Sequence, residues 1–240
     1  MINRKEILNA IRKKIEKYGW YQYCVIQSQA PRFCYTIGLS DKLGFELIFA
    51  GGYFYNNTEA MKIVDNYADF LLNSRPSENK FELKGFSLRK VHQEWSESLM
   101  LGAVDYYKDR DKFTLCAKQI IPPLDQFTLD IPDMSLLPEN NSNLPWKWWF
   151  HEWPFSAPED STVVTDIEYL RTGKALQIVR WEENQWECFS RDPENVAKEN
   201  IRIIPLGVAI GLDLSLENIF EMEIEEGFLR NDKNCWEKWG

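Results

Sequence analysis

Glu221, Glu223 and Glu225 alternate with Met222 and Ile224, so an extended strand there sets three carboxylates on one face, about 7 Å apart. The chemistry of such a row is attraction to Lys or Arg. With Glu226, Glu182 and Glu183 it makes a candidate surface for a basic partner, the other use being a solvated face or a strand edge kept from aggregating. Enzyme chemistry has thinner support. Histidine is the commonest general base, and the two in this chain, His92 in Val-His-Gln-Glu-Trp and His151 in an aromatic run, stand outside any recognisable motif. A Gly-x-Ser-x-Gly elbow is absent, and Asp109-Arg110-Asp111 is too ordinary a grouping to read as a metal site. The expectation is a non-enzymatic binding role, with no metal and no cofactor.

A second class of function rests on small-ligand chemistry. Gly51-Gly52 precedes a helix that starts near Asn57, and a helix N-terminus after paired glycines can hold an anion, although the Gly-Lys-Ser/Thr of a P-loop is missing. Tyr35 and Thr36 interrupt an apolar strand, which points either to a pocket lining or to an outward Thr36 with a bulge at Gly38. The alternative expectation is thus a nucleotide or anion site at Tyr35, Thr36, Gly51 and Gly52, in a binding domain or an enzyme of unknown reaction.

Between Leu144 and Phe155 the chain packs Trp146, Trp148, Trp149 and Trp153 beside Phe150 and Phe155. Trp148 and Trp149 are candidates for a hot-spot patch on a protein partner, and the competing use is cement between two halves of the molecule. Charge changes sign of balance at the same place. Residues 1–150 hold 19 Lys+Arg against 18 Asp+Glu, whereas residues 151–240 hold 9 against 19. An acidic half repels DNA, RNA and anionic lipid and speeds encounter with a cationic macromolecule.

The elements that must carry these residues are legible from spacing. Asn3 with Glu6 predicts a capping box, followed by a helix through Ile7, Leu8, Ile11 and Ile15 to Gly19. Strands are predicted at 20–27, 33–39 and 46–50 as a meander, and Asn56 with Glu59 opens a helix whose stripe runs from Ala60 to Leu71. Short strands at 81–83 and 86–91, a helix at 95–107 weakened by Gly102, and a strand at 113–121 complete a first unit. Five of the eleven prolines fall between Pro122 and Pro145, predicting a connector. Strands follow at 162–166, 175–181 and 185–190, the last two as a hairpin, then a short helix at 205–212. The fold class is α+β in two units, each a mainly antiparallel sheet covered by helices: 1–121, a connector at 122–150, and an acidic 151–240.

The N-terminal stretch lacks an apolar run of the signal-peptide kind, and the longest apolar run, Leu47 to Tyr55, is too short for a bilayer. Five scattered cysteines without a Cys-x-x-Cys pair predict reduced thiols, a cytoplasmic location and no disulfide framework.

The stretch Phe33-Cys34-Tyr35-Thr36-Ile37-Gly38-Leu39, preceded by Tyr18-Gly19-Trp20 and followed by Glu46-Leu47-Ile48, resembles a bacterial family known as domain of unknown function four-two-six-two, from about Ile15 to Ile121. Phe45 stands where members usually have Pro, which implies a different loop after Leu39. The family name implies no activity. Downstream, Val163-Val164-Thr165, Gly173, Val179, Trp186 and Phe189 resemble small immunity domains found beside polymorphic bacterial toxins. That resemblance implies a cytoplasmic immunity protein whose acidic half occludes the basic cleft of a cognate toxin, such as a nuclease or an ADP-ribosyltransferase, with no nucleic-acid or membrane partner.

Overall fold

Strand-forming and helix-forming stretches alternate along the first half of the chain, and each apolar face finds a partner layer. A computed structural model describes residues 4–26, 29–73, 83–111, 113–139 and 141–239. The first unit runs α1 (Arg4–Tyr18), β1 (Tyr21–Val25), β2 (Phe33–Ile37), α2 (Ser40–Leu43), β3 (Glu46–Ala50), α3 (Asn57–Leu72), β4 (Ser87–Lys90), α4 (Gln93–Leu99), α5 (Leu101–Tyr107) and β5 (Ala117–Ile121). Its sheet has the order β1-β2-β3-β5-β4. The anticipated meander is present, and β5 then joins β3 in parallel. Helices cover both faces: Ile11, Trp95, Ala103 and Tyr107 pack on Tyr35, Ile37 and Ile48, while Ala60, Ile63, Val64 and Tyr67 pack on Leu39, Leu47 and Phe49. Two-sided cover explains why every residue of β2 and β3 is buried and why both read as continuous apolar runs.

One polar knot interrupts that core. The buried carboxylate of Glu46 accepts from Thr36 Oγ1 (2.6 Å), Tyr107 Oη (2.6 Å) and the backbone N–H groups of Gly38, Leu39 and Ser40 (3.0, 3.2 and 2.9 Å). Five donors saturate an acceptor that could not otherwise leave water. Gly38 adopts φ 102° there, and a Cβ on it would press on Ile15 of α1 at 3.1 Å. The Tyr-Thr-Ile-Gly-Leu stretch and the glutamate after it are thus one interlocked unit. Thr36 is fully buried, so it does not point outward from a half-buried strand.

The predicted helix at 95–107 is two helices, broken at Met100 (φ −97°, ψ 45°). The break frees the Gly102 N–H, which donates to Tyr35 Oη at 3.0 Å. Asn3 and residues 81 and 82 of the predicted strand at 81–83 lie outside the described residues.

The segment at 122–150 is packed rather than a free tether, with Asp130, Met134 and Trp146 buried. It ends in α6 (Lys147–Phe150). The second unit then runs β6 (Thr162–Asp166), α7 (Ile167–Thr172), β7 (Gln177–Glu182), β8 (Gln185–Phe189), β9 (Ile201–Pro205), α8 (Leu206–Leu212), β10 (Gly227–Arg230) and β11 (Trp236–Lys238). Its sheet order is β11-β10-β7-β8-β6-β9, with the anticipated β7–β8 hairpin and a parallel β6–β8 pair. The predicted helix at 205–212 is α8. Its Gly207 and Gly211 let the aromatic segment come close: a Cβ on Gly211 would lie 2.6 Å from the Leu144 carbonyl oxygen and from Pro145.

Two expectations are corrected. Residues 221–225 form turns with Glu225 at φ 66°, not a strand, because Arg180 draws this chain end into a tight loop. Cys24 and Cys34 stand opposite each other in the β1–β2 register and are joined by a disulfide, their Cα atoms 4.1 Å apart. A hairpin register brings together cysteines that spacing alone leaves unrelated. Cys116, Cys188 and Cys235 are free thiols. In denaturant without reductant, a thiol-reactive chromophore should therefore count these three groups and, after reduction, all five cysteines. A count of five before reduction contradicts the pairing.

Candidate functional site

The β7–β8 turn and the 221–226 loop meet at one end of the second sheet because of a cation in β7. Arg180 donates through Nη1 to the Met222 carbonyl (2.9 Å), through Nη2 to the Glu183 carbonyl (2.9 Å) and through Nε to the Glu182 carbonyl (3.3 Å). Its guanidinium stacks 4.7 Å from the Trp186 ring, and its backbone pairs with Glu225 and Glu226. Arg180 binds carbonyl groups and makes no ion pair with the carboxylates it gathers, among the described residues.

Those carboxylates divide by what they already hold. Glu226 pairs with Lys238 and accepts from the Glu223 N–H, and the Lys238 hydrogen bond draws its carboxyl below the usual range. Glu221 accepts from the N–H and hydroxyl of Ser156 (2.8 and 3.0 Å), tying the loop to the aromatic segment. Glu182, Glu183, Glu223 and Glu225 are exposed and make no ion pair among the described residues. Sequence spacing put Glu221, Glu223 and Glu225 in one row; the structure instead collects them with Glu182 and Glu183 around Arg180.

Trp148 and Trp149 lie elsewhere. Trp148 is 3% exposed and packs edge-on against Trp153 and Phe155, which in turn meets Phe220 of the second core. Trp149 is half-buried and meets Phe33 of the first core at 5.3 Å. The block therefore joins the two units, its rings shared between the two cores. Neither ring belongs to the acidic end.

Tyr35, Thr36, Gly51 and Gly52 are all buried. The helix start after the glycines is closed by its own side chains, since Asn56 accepts from the Glu59 N–H and Glu59 from the Asn56 N–H. A carboxylate at that position also disfavours an anion. The glycines serve a turn: a Cβ on Gly51 would lie 2.4 Å from the Asp130 carbonyl oxygen. Around that turn, Arg32 Nη2 binds the carbonyls of Gly52 (2.7 Å) and Tyr55 (2.5 Å), while Arg202 of the second unit binds those of Tyr53 (2.9 Å) and Phe54 (2.6 Å). Burial lowers both guanidinium pKa values and raises that of Asp130.

The other reactive groups are occupied as well. His92 Nδ1 accepts from the Glu94 N–H as a helix cap, and burial pushes the Cys188 thiol far up, away from nucleophilic use. Among the described residues, no three His, Cys, Asp or Glu side chains converge as metal ligands. No helix among them is long and apolar enough to cross a membrane.

Sequence reading missed Arg180, Arg32 and Arg202. Arg180 and Arg202 are lone cations inside strands and Arg32 stands just before one, and that is the signal that could have found them. Replacing Arg180 with Ala removes three hydrogen bonds and a stacked ring, and should lower unfolding free energy by about 1–3 kcal/mol in urea titration, with Arg180→Lys intermediate. An unchanged midpoint for Arg180→Ala would show that the loops are held by other means.

Comparison with known proteins gives one assignment. Residues 14–125 match the model of the family described as Domain of unknown function (DUF4262), from within α1 to just beyond β5. Nothing among the curated proteins and nothing among the solved structures matches the chain. The matched span contains the whole Glu46 knot together with the sheet that surrounds it, so the first unit of this chain is similar to the DUF4262 family.

Proposed function

We propose that the chain is a binding protein for a cationic macromolecule, an immunity protein that occludes the basic cleft of an antibacterial toxin. The observation that carries this reading is the gathering of Glu182, Glu183, Glu223 and Glu225 at one end of the second sheet, their charges unpaired and their loops fixed by Arg180. A fixed acidic face steers a basic partner into place before contact and keeps nucleic acid away. It also favours an enzyme whose own substrate is phosphate-rich, because such an enzyme presents a cationic cleft. A nuclease or an ADP-ribosyltransferase fits that chemistry, and either would be met in the cytoplasm, where its substrates lie.

Tyr35, Thr36, Gly51 and Gly52 do not support the small-ligand alternative as well, since they are buried in the core and at the junction turn. The aromatic block supports the binding role only indirectly, by packing the acidic unit on the first.

The test uses the protein encoded by the neighbouring gene, mixed with this chain and followed by stopped-flow fluorescence. Double charge reversal, Glu223→Lys with Glu225→Lys, should slow association by about tenfold or more at low salt and leave the thermal midpoint within error. An association rate unchanged by the reversal, or unchanged as salt rises, contradicts the proposal.

A further inference from the structure

A cleft of about 580 Å³ lies where the two units meet, and its walls differ in origin. One wall follows β1 and includes Ile26; the other is β9, the outermost strand of the second sheet. Strand β9 pairs with β6 on one side alone. The Leu206 N–H donates to the Ser161 carbonyl, and the register Ile204↔Val163 continues that ladder, so alternate residues face outward along the edge. Ile203 is one of these. Its N–H and C=O point away from β6 into the cleft side, and its side chain is 64% exposed. Ile26, across the cleft, is 42% exposed.

The charged side chains that line the cleft have one sign, although Arg202 of β9 lies beside it. Glu159 and Asp160 line the cleft and are exposed, and no Lys, Arg or His is among its described lining residues. Ser161 adds a hydroxyl that is 1% exposed and makes no hydrogen bond. A groove with an open strand edge, two exposed isoleucines and two carboxylates matches an extended polypeptide better than a compact small molecule. Backbone groups would continue the sheet, an apolar side chain would sit between Ile26 and Ile203, and a cationic one would reach Glu159 and Asp160.

We propose that this cleft receives an extended, Lys- or Arg-bearing segment of the protein partner, which adds as a strand to the edge of β9. The inference rests on the cationic-partner reading above and adds a second contact to it, at the junction rather than at the acidic loops.

The probe is a short fluorescein-labelled peptide alternating Lys with Val, compared with one alternating Glu with Val, in a polarisation titration of the full chain. The Lys peptide should bind and the Glu peptide should not. Ile203→Pro deletes an N–H that makes no bond to β6, so the β6–β9 ladder survives; it should weaken the Lys peptide by about tenfold or more, as should Glu159→Lys with Asp160→Lys. Circular dichroism melting confirms that each variant is folded, and Ile203→Lys serves as a second edge variant should the Pro variant melt early. Peptide binding that survives these changes but falls with Glu223→Lys and Glu225→Lys overturns the cleft and leaves the cationic-partner reading intact. Absence of binding by the Lys peptide at low salt overturns the cleft as well, while the association experiment with the partner protein judges the broader reading separately. Displacement by spermine at equal charge concentration would mean loose polycation binding, and that too overturns strand addition.

Discussion

Four consecutive carbonyl groups, from Gly52 to Tyr55, are held by two arginines that come from different units of the chain. Arg32 takes the outer two and Arg202 the inner two. A turn that passes through two glycines at positive φ leaves its carbonyls without ladder partners, and burying them unpaired is costly. Guanidinium groups answer that need with several donors each. Because the donors are divided between the two sheets, the same hydrogen bonds that finish the turn also set the second unit on the first. The aromatic segment completes the junction, with Trp146 and Trp149 in the first core and Trp148, Trp153 and Phe155 turned to the second.

The junction sets the acidic half against the first unit. Loose acidic segments stay soluble and bind weakly, since ordering them costs conformational entropy at each encounter. Here Arg180 meets that cost during folding, by spending its donors on the Glu182, Glu183 and Met222 carbonyls. The arrangement separates two uses of charge. Buried cations satisfy backbone, and the exposed anions stay unpaired among the described residues. The first unit takes the opposite course with Glu46, whose charge is fully absorbed by Thr36, Tyr107 and three N–H groups and so serves the fold alone.

What was legible in the sequence follows from how local each signal is. The Asn56–Glu59 box and the Ala60 to Leu71 stripe are local, and α3 begins and ends where they predict. The β1–β2–β3 meander and the β7–β8 hairpin are nearly so, because turn residues separate short β-favouring runs. By contrast, β9, β10 and β11 were not anticipated: β10 and β11 are short and half-exposed, and β9 owes its existence to pairing with a strand forty residues earlier. The alternation at 221–225 misled because a two-residue period in charge does not distinguish a strand from a loop whose shape is set by a distant arginine. The Cys24–Cys34 pair was hidden for a similar reason, since only the hairpin register places the two residues opposite each other. Of the candidate site, the acidic residues were legible as a composition, and their common location was not, because Arg180 that gathers them is a single residue in an apolar strand.

The account stands most directly on where a partner lands. Hydrogen–deuterium exchange of this chain, alone and mixed with the product of the neighbouring gene, reads that without substitution of any residue. Slowed exchange in the segments 180–187 and 221–228 is the result the account predicts. Slowed exchange confined to residues 4–121, with those two segments unchanged, would contradict it.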